Sequence, residues 1–73
     1  MEERENEPLK GGIYITAKDI QILNNCSYDR AKKEHRTVRD ILDIDKKKLT
    51  VLDYCDYYKL DYQLVISYIN PYR

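Results

Sequence analysis

The sequence predicts a mainly α-helical fold, a compact bundle of about four short helices arranged as two hairpins. Three observations carry this. Capping residues stand at Thr16, Ser27, Thr50 and Asp61, each ahead of a stretch that can run helically. The apolar residues between them recur at three- and four-residue steps rather than alternating. Sliding the chain by 34 residues also lays one capped hairpin on the other.

Residues 1–12 are charged, contain Pro8 and end in Gly11-Gly12. Such a composition buries too little apolar surface to offset its ordering entropy, so a disordered acidic tail is expected there. Residues 13–73 form the single domain. Ile13-Tyr14-Ile15 is a β-prone run ahead of a helix start, and Lys48-Leu49 is its candidate partner in a minimal two-stranded ribbon. Thr16 and Asp19 have the Thr-x-x-Asp spacing that satisfies free amide donors at a helix start. The first helix is expected over 17–23, with Ile20 and Leu23 on one side and Ile22 adding bulk. Asn24-Asn25 stops it, because Asn tolerates the left-handed conformation.

Ser27 caps a second helix from Tyr28 to about Leu42. Ala31, Val38, Ile41 and Leu42 share a face at 100° per residue, with His35 at the same phase as a half-buried, hydrogen-bonded boundary residue. Lys32, Arg36 and Arg39 fall on an adjacent arc, with Lys33 slightly beyond. The run DIDKKK has loop composition. Thr50 opens a third helix, Val51 to Lys59, Asp61 caps a fourth, Tyr62 to Ile69, and Pro71 closes the pattern. The first hairpin thus covers 16–42 and the second 50–69. The 34-residue shift places Thr16 on Thr50, Asp19 on Asp53, Ile20 on Tyr54, Leu23 on Tyr57, Ser27 on Asp61 and Ala31 on Val65. Two copies make a structural echo rather than a repeat array.

A chain of 73 residues is one small domain, near the lower size at which an apolar core holds without metal or disulfide. Thirteen basic and thirteen acidic residues balance, so the whole molecule has no electrostatic bias towards nucleic acid or membrane. The distribution is uneven: residues 13–48 hold nine basic and six acidic groups, and residues 49–73 hold two and three. No apolar run is long enough to span a bilayer, and MEERENEPLKGG lacks the order of a secretory signal, so a cytoplasmic protein is the expectation. Cys26 and Cys55 stand far apart with His35 as the one histidine, a set with no metal-ligand spacing. They are expected as reduced, buried apolar fillers, and no cofactor is expected.

Residues 15–42, with two helices about a four-residue corner and five Lys/Arg on the second, resemble the helix-turn-helix of small bacterial DNA-binding proteins. These occur as short transcription regulators or excisionase-like recombination directionality factors of phages and other mobile elements. Such motifs commonly have a small residue within the first helix and Gly in the corner, where this chain has Gln21 and Asn25. The resemblance implies double-stranded DNA as the partner, read by the N-terminal half of the second helix in the major groove. Tyr28, Asp29, Lys32, Lys33 and Arg36 would face bases or phosphates, and Arg39 belongs to the same basic stripe. Ser27 and the helix start offer donors to phosphate, and Lys18 and Lys46 to Lys48, Lys47 among them, would touch flanking backbone. One such module has a limited footprint, so a homodimer or cooperative oligomer is the expected assembly. Half-sites would lie about one DNA turn, ~34 Å, apart.

Each feature also has a plainer interpretation. Asp29, Glu34, Asp40 and Asp43 interrupt the basic stripe, as on an ordinary solvated helix, and Arg36 and Asp40 have the spacing of a surface ion pair. The eight tyrosines stand in a chain with no Phe or Trp, where Tyr serves as the general core aromatic together with Leu52, Leu60, Leu64, Val65, Ile66 and Ile69. Five of them, Tyr54, Tyr57, Tyr58, Tyr62 and Tyr68, exceed what the second hairpin can hide, which marks a partner face. The alternative function is therefore a protein-interaction adaptor working through that hairpin. An enzyme is not expected: there is no nucleophile–base spacing and no Gly-rich phosphate loop, and neither a membrane nor a small-molecule substrate is implied.

Overall fold

The structure, a computed structural model, describes Leu9, residues 12–45 and residues 47–73. Among these residues the fold is helical: α1 (Ala17–Asn24), α2 (Tyr28–Leu42), α3 (Val51–Tyr58) and α4 (Tyr62–Ile69), followed by a 3-10 turn at Asn70–Tyr72. Both expected hairpins form. α1 packs on α2, α3 packs on α4, and α1 also packs on α4, which joins the two hairpins.

Local chemistry sets each boundary. The Thr16 hydroxyl accepts from Asp19 N–H at 3.2 Å while the Asp19 carboxylate accepts from Thr16 N–H at 2.9 Å. Thr50 and Asp53 repeat that reciprocal cap at α3, with 3.0 and 3.3 Å. Ser27 and Asp61 cap α2 and α4. Asn25 and Lys59, 34 residues apart, both turn left-handed (φ 52° and 59°) and end α1 and α3. The amides that follow, Cys26 and Leu60, bond back to the carbonyls of Gln21 and Cys55 at 3.3 and 2.8 Å. The caps, first helices, corners and second-helix starts therefore coincide under the 34-residue shift, while α2, at 15 residues, outlasts α4, at 8. Asn25 supplies the conformation that Gly commonly supplies in such corners. α1 runs one residue further than expected, which shortens the first corner to three residues. α3 ends one residue early, at Tyr58, because Lys59 is its left-handed cap.

The ribbon contracts to a single antiparallel bridge between Tyr14 and Thr50. Ile15 N–H donates to Leu49 C=O and Val51 N–H to Ile13 C=O, both at 2.9 Å, so the pairing centres on Thr50 rather than on Lys48-Leu49. It ends there because Thr16 and Thr50 are committed to their caps. Ile15 and Leu49, counterparts under the shift, lie side by side and buried.

The core joins Ile15, Ile20, Ala31 and Val38 of the first half to Leu49, Val51, Tyr54, Cys55, Val65, Ile66 and Ile69 of the second. Three sequence expectations need correction. Ile41 and Leu42 are 57 and 37 % exposed, not core. α1 has 8 residues and α2 has 15, so α2 outruns its partner by about 10 Å and its last turn stands free. Leu52, Leu60 and Leu64 are likewise exposed, since α3 and α4 each bury one face. Of the two free thiols, Cys55 is buried and Cys26 only half-buried. Burial pushes the Cys55 thiol pKa up, with Asp56 and Asp61 adding to it.

The expected tail falls largely outside the described residues. Leu9 packs on the core, and the Gly12 carbonyl accepts from Arg73 Nη1 at 2.6 Å. The Arg73 guanidinium also donates to Tyr14 C=O at 2.8 Å and forms a buried ion pair with Asp19.

Candidate nucleic-acid interface

α2 faces the core through Ala31 and Val38. Its opposite arc, with Asp29, Lys32, Lys33 and Arg36, is exposed. Ser27 stands at its start, and the hydroxyl accepts from Arg30 N–H at 3.2 Å. Tyr28 is half exposed, with the Lys32 ammonium 5.6 Å from its ring centroid, a cation–π contact that keeps both on one outward surface. Among the described residues the ion pair is Arg73 with Asp19, so Lys32, Lys33 and Arg36 carry no carboxylate partner and the Arg36–Asp40 pair does not form.

Not every expected contact residue joins this surface. Arg39 turns inward and donates from Nε to His35 Nδ1 at 2.9 Å. Arginine never deprotonates, so Nδ1 must be the accepting nitrogen, and Nε2 carries the hydrogen that goes to Ile15 C=O at 2.9 Å. His35 is thereby neutral and half-buried. Its pKa lies below the usual histidine range chiefly through burial, with Arg39 acting in the same direction and the Ile15 bond and Asp19 opposing. Lys18 is exposed near the start of α1. Lys47 and Lys48 are exposed in the connection between α2 and α3, and Lys46 lies outside the described residues.

The other flank of α2 is tied down. Tyr54 is 2 % exposed and its hydroxyl donates to Glu34 at 2.9 Å while accepting from Asn24 Nδ2 at 3.2 Å. Tyr54 is therefore a core residue that links α3 to α1 and α2, a correction to its place on a partner face. The Tyr58 ring lies 5.0 Å from that of Tyr54, and burial together with Glu34 pushes its pKa up to about 12. Tyr57 and Tyr62 are half-buried against the core, which leaves Tyr58 and Tyr68 as the outward members of the set. The role of Glu34 left no sequence signal, because its partner lies 20 residues away in another helix. Arg30, omitted from the expected contacts though it is one of the α2 cations, lines a shallow concavity with Ser27, Asp29, Lys33, Glu34 and Thr37. The mixed charge of that lining gives Arg30 weaker standing as a phosphate contact than Lys32 or Arg36.

No helix among the described residues is long and apolar enough to cross a membrane, and no cluster of metal-ligating side chains occurs among them. Comparison with protein families, characterised proteins and solved structures finds no match for this chain.

Proposed function

We propose that this chain binds double-stranded DNA in a sequence-specific manner through its first hairpin, as a small transcription regulator or recombination directionality factor. The observation that carries the reading is the outward arc of α2. Tyr28, Lys32, Lys33 and Arg36 are exposed and free of ion pairs among the described residues, while the tertiary anchors of the helix lie on its other sides. The N-terminal half of a helix set across a three-residue corner suits the major groove. Lys32 and Arg36 can neutralise phosphate as well as donate to guanine, Asp29 can accept from cytosine, and Tyr28 and Lys33 suit phosphate. Lys18 adds a cation on the first helix of the motif.

The test is fluorescence anisotropy with a diverse duplex pool across a salt series, comparing wild type with Lys32→Ala/Arg36→Ala. Binding should weaken in the double variant and its salt dependence should become shallower by about 0.9 per lost phosphate contact. Absence of binding at low salt would overturn the reading and favour the adaptor role, for which the exposed Tyr58, Leu64 and Tyr68 speak.

A further inference from the structure

We infer that the outward face of α4 is a docking surface for a second copy of this chain, forming a weak two-fold dimer about Leu64. The inference is independent of DNA binding. A surface helix of a globular protein normally turns charged side chains to water. α4 has none: Tyr62–Ile69 contains no Asp, Glu, Lys or Arg in a chain that is 36 % charged. It buries Val65, Ile66 and Ile69 and leaves Leu64 and Tyr68 each 55 % exposed. Leu60, exposed just before the helix, and Tyr72, exposed just after it, extend the four-residue spacing in both directions.

The chemistry of this stripe selects its occupant. Nucleic acid and acidic surfaces need cations, which α4 lacks. Residues 1–8, MEERENEP, have Met1 as their one large apolar side chain and are otherwise mostly charged, so they do not match the stripe. A second copy does match it. Crossed antiparallel about a two-fold axis, Leu64 meets the second copy's Leu64, and Leu60 meets the second copy's Tyr68, a small-to-large pairing made twice by symmetry. The charged Lys59 and Asp61 beside one end of the stripe then come level with the uncharged Ile69 and Ser67 of the other copy, so no like charges meet. An eight-residue helix is about 12 Å long and offers less than the roughly 800 Å² per partner of a standard interface, which makes the dimer weak and concentration-dependent.

Sedimentation velocity without DNA, from about 10 μM to about 1 mM, reads this directly. Wild type should pass from monomer to dimer. Leu64→Glu, at an exposed position, should stay monomeric with an unchanged circular dichroism spectrum, and Tyr68→Lys should do the same if Leu64→Glu fails to fold. Ile41→Glu, on α2, should dimerise like wild type. An equimolar mixture of Leu64→Glu and Leu64→Lys should associate although neither does alone, because the axis brings residue 64 against itself. A wild type that stays monomeric, a Leu64→Glu protein that dimerises like wild type, an Ile41→Glu protein that does not dimerise, or a mixture that stays monomeric would each overturn the proposal. None of these outcomes depends on whether α2 binds DNA.

Discussion

His35 stays neutral because of what it touches. Its Nδ1 needs a free lone pair to accept from Arg39, and burial disfavours the charged ring. The pKa of the folded state therefore lies below the unfolded value of 6.5. As pH falls through 6.5 the unfolded chain binds a proton that the folded chain refuses, so stability is complete above that pH and declines below it. The melting temperature should fall between pH 7.5 and pH 5, and less steeply in His35→Gln. Parallel pH profiles for the two proteins would refute this role for the ring. The same contact explains why Arg39, on the basic side of α2 by helical phase, is withdrawn from the outward arc.

The helices owe their ends to pairs of neighbouring residues. Each reciprocal Thr–Asp cap satisfies two amide donors, and each left-handed residue that follows lets the chain turn into the next cap. Asn25 suits that conformation, but Lys59 does not, since a Cβ at positive φ is crowded by the following carbonyl. Lys59→Gly should stabilise the domain by up to ~1 kcal/mol, the relieved strain being partly offset by the greater freedom of glycine when unfolded. Urea denaturation measures it, and a loss of stability would show that the Lys59 side chain contributes more than its strain costs. These short-range features were legible because every partner lies within a few residues. The ribbon was less so, since its register depended on the competing claim of the Thr50 cap.

Arg73 draws the described ends of the chain together. Its guanidinium holds the carbonyls of Gly12 and Tyr14 and the buried carboxylate of Asp19, which also caps α1. Both side chains of the pair are at most one-tenth exposed. Arg73→Ala would leave the Asp19 charge buried with only its cap hydrogen bond, at a cost of about 3 kcal/mol, large against the total stability of so small a domain. Chemical denaturation should show that loss, and a change under ~1 kcal/mol would mean that water replaces the guanidinium. Tyr54 acts similarly between the hairpins, since its hydroxyl joins Asn24 of α1 and Glu34 of α2 to the core of α3.

Helix number, order and caps, the 34-residue echo and the basic character of α2 can all be read from the chain, because capping and helical periodicity are local properties. Which tyrosine is core and which is surface cannot: Tyr54 and Tyr58 lie one turn apart on the same helix and differ in what packs over them. Nor does periodicity show that Ile41 and Leu42 outrun α1, that Arg39 turns to His35, or that Leu64 stays in water while Val65 beside it is buried. Each of these is settled by contacts between residues distant in sequence, and the lengths and packing of the surrounding helices decide which of them can form.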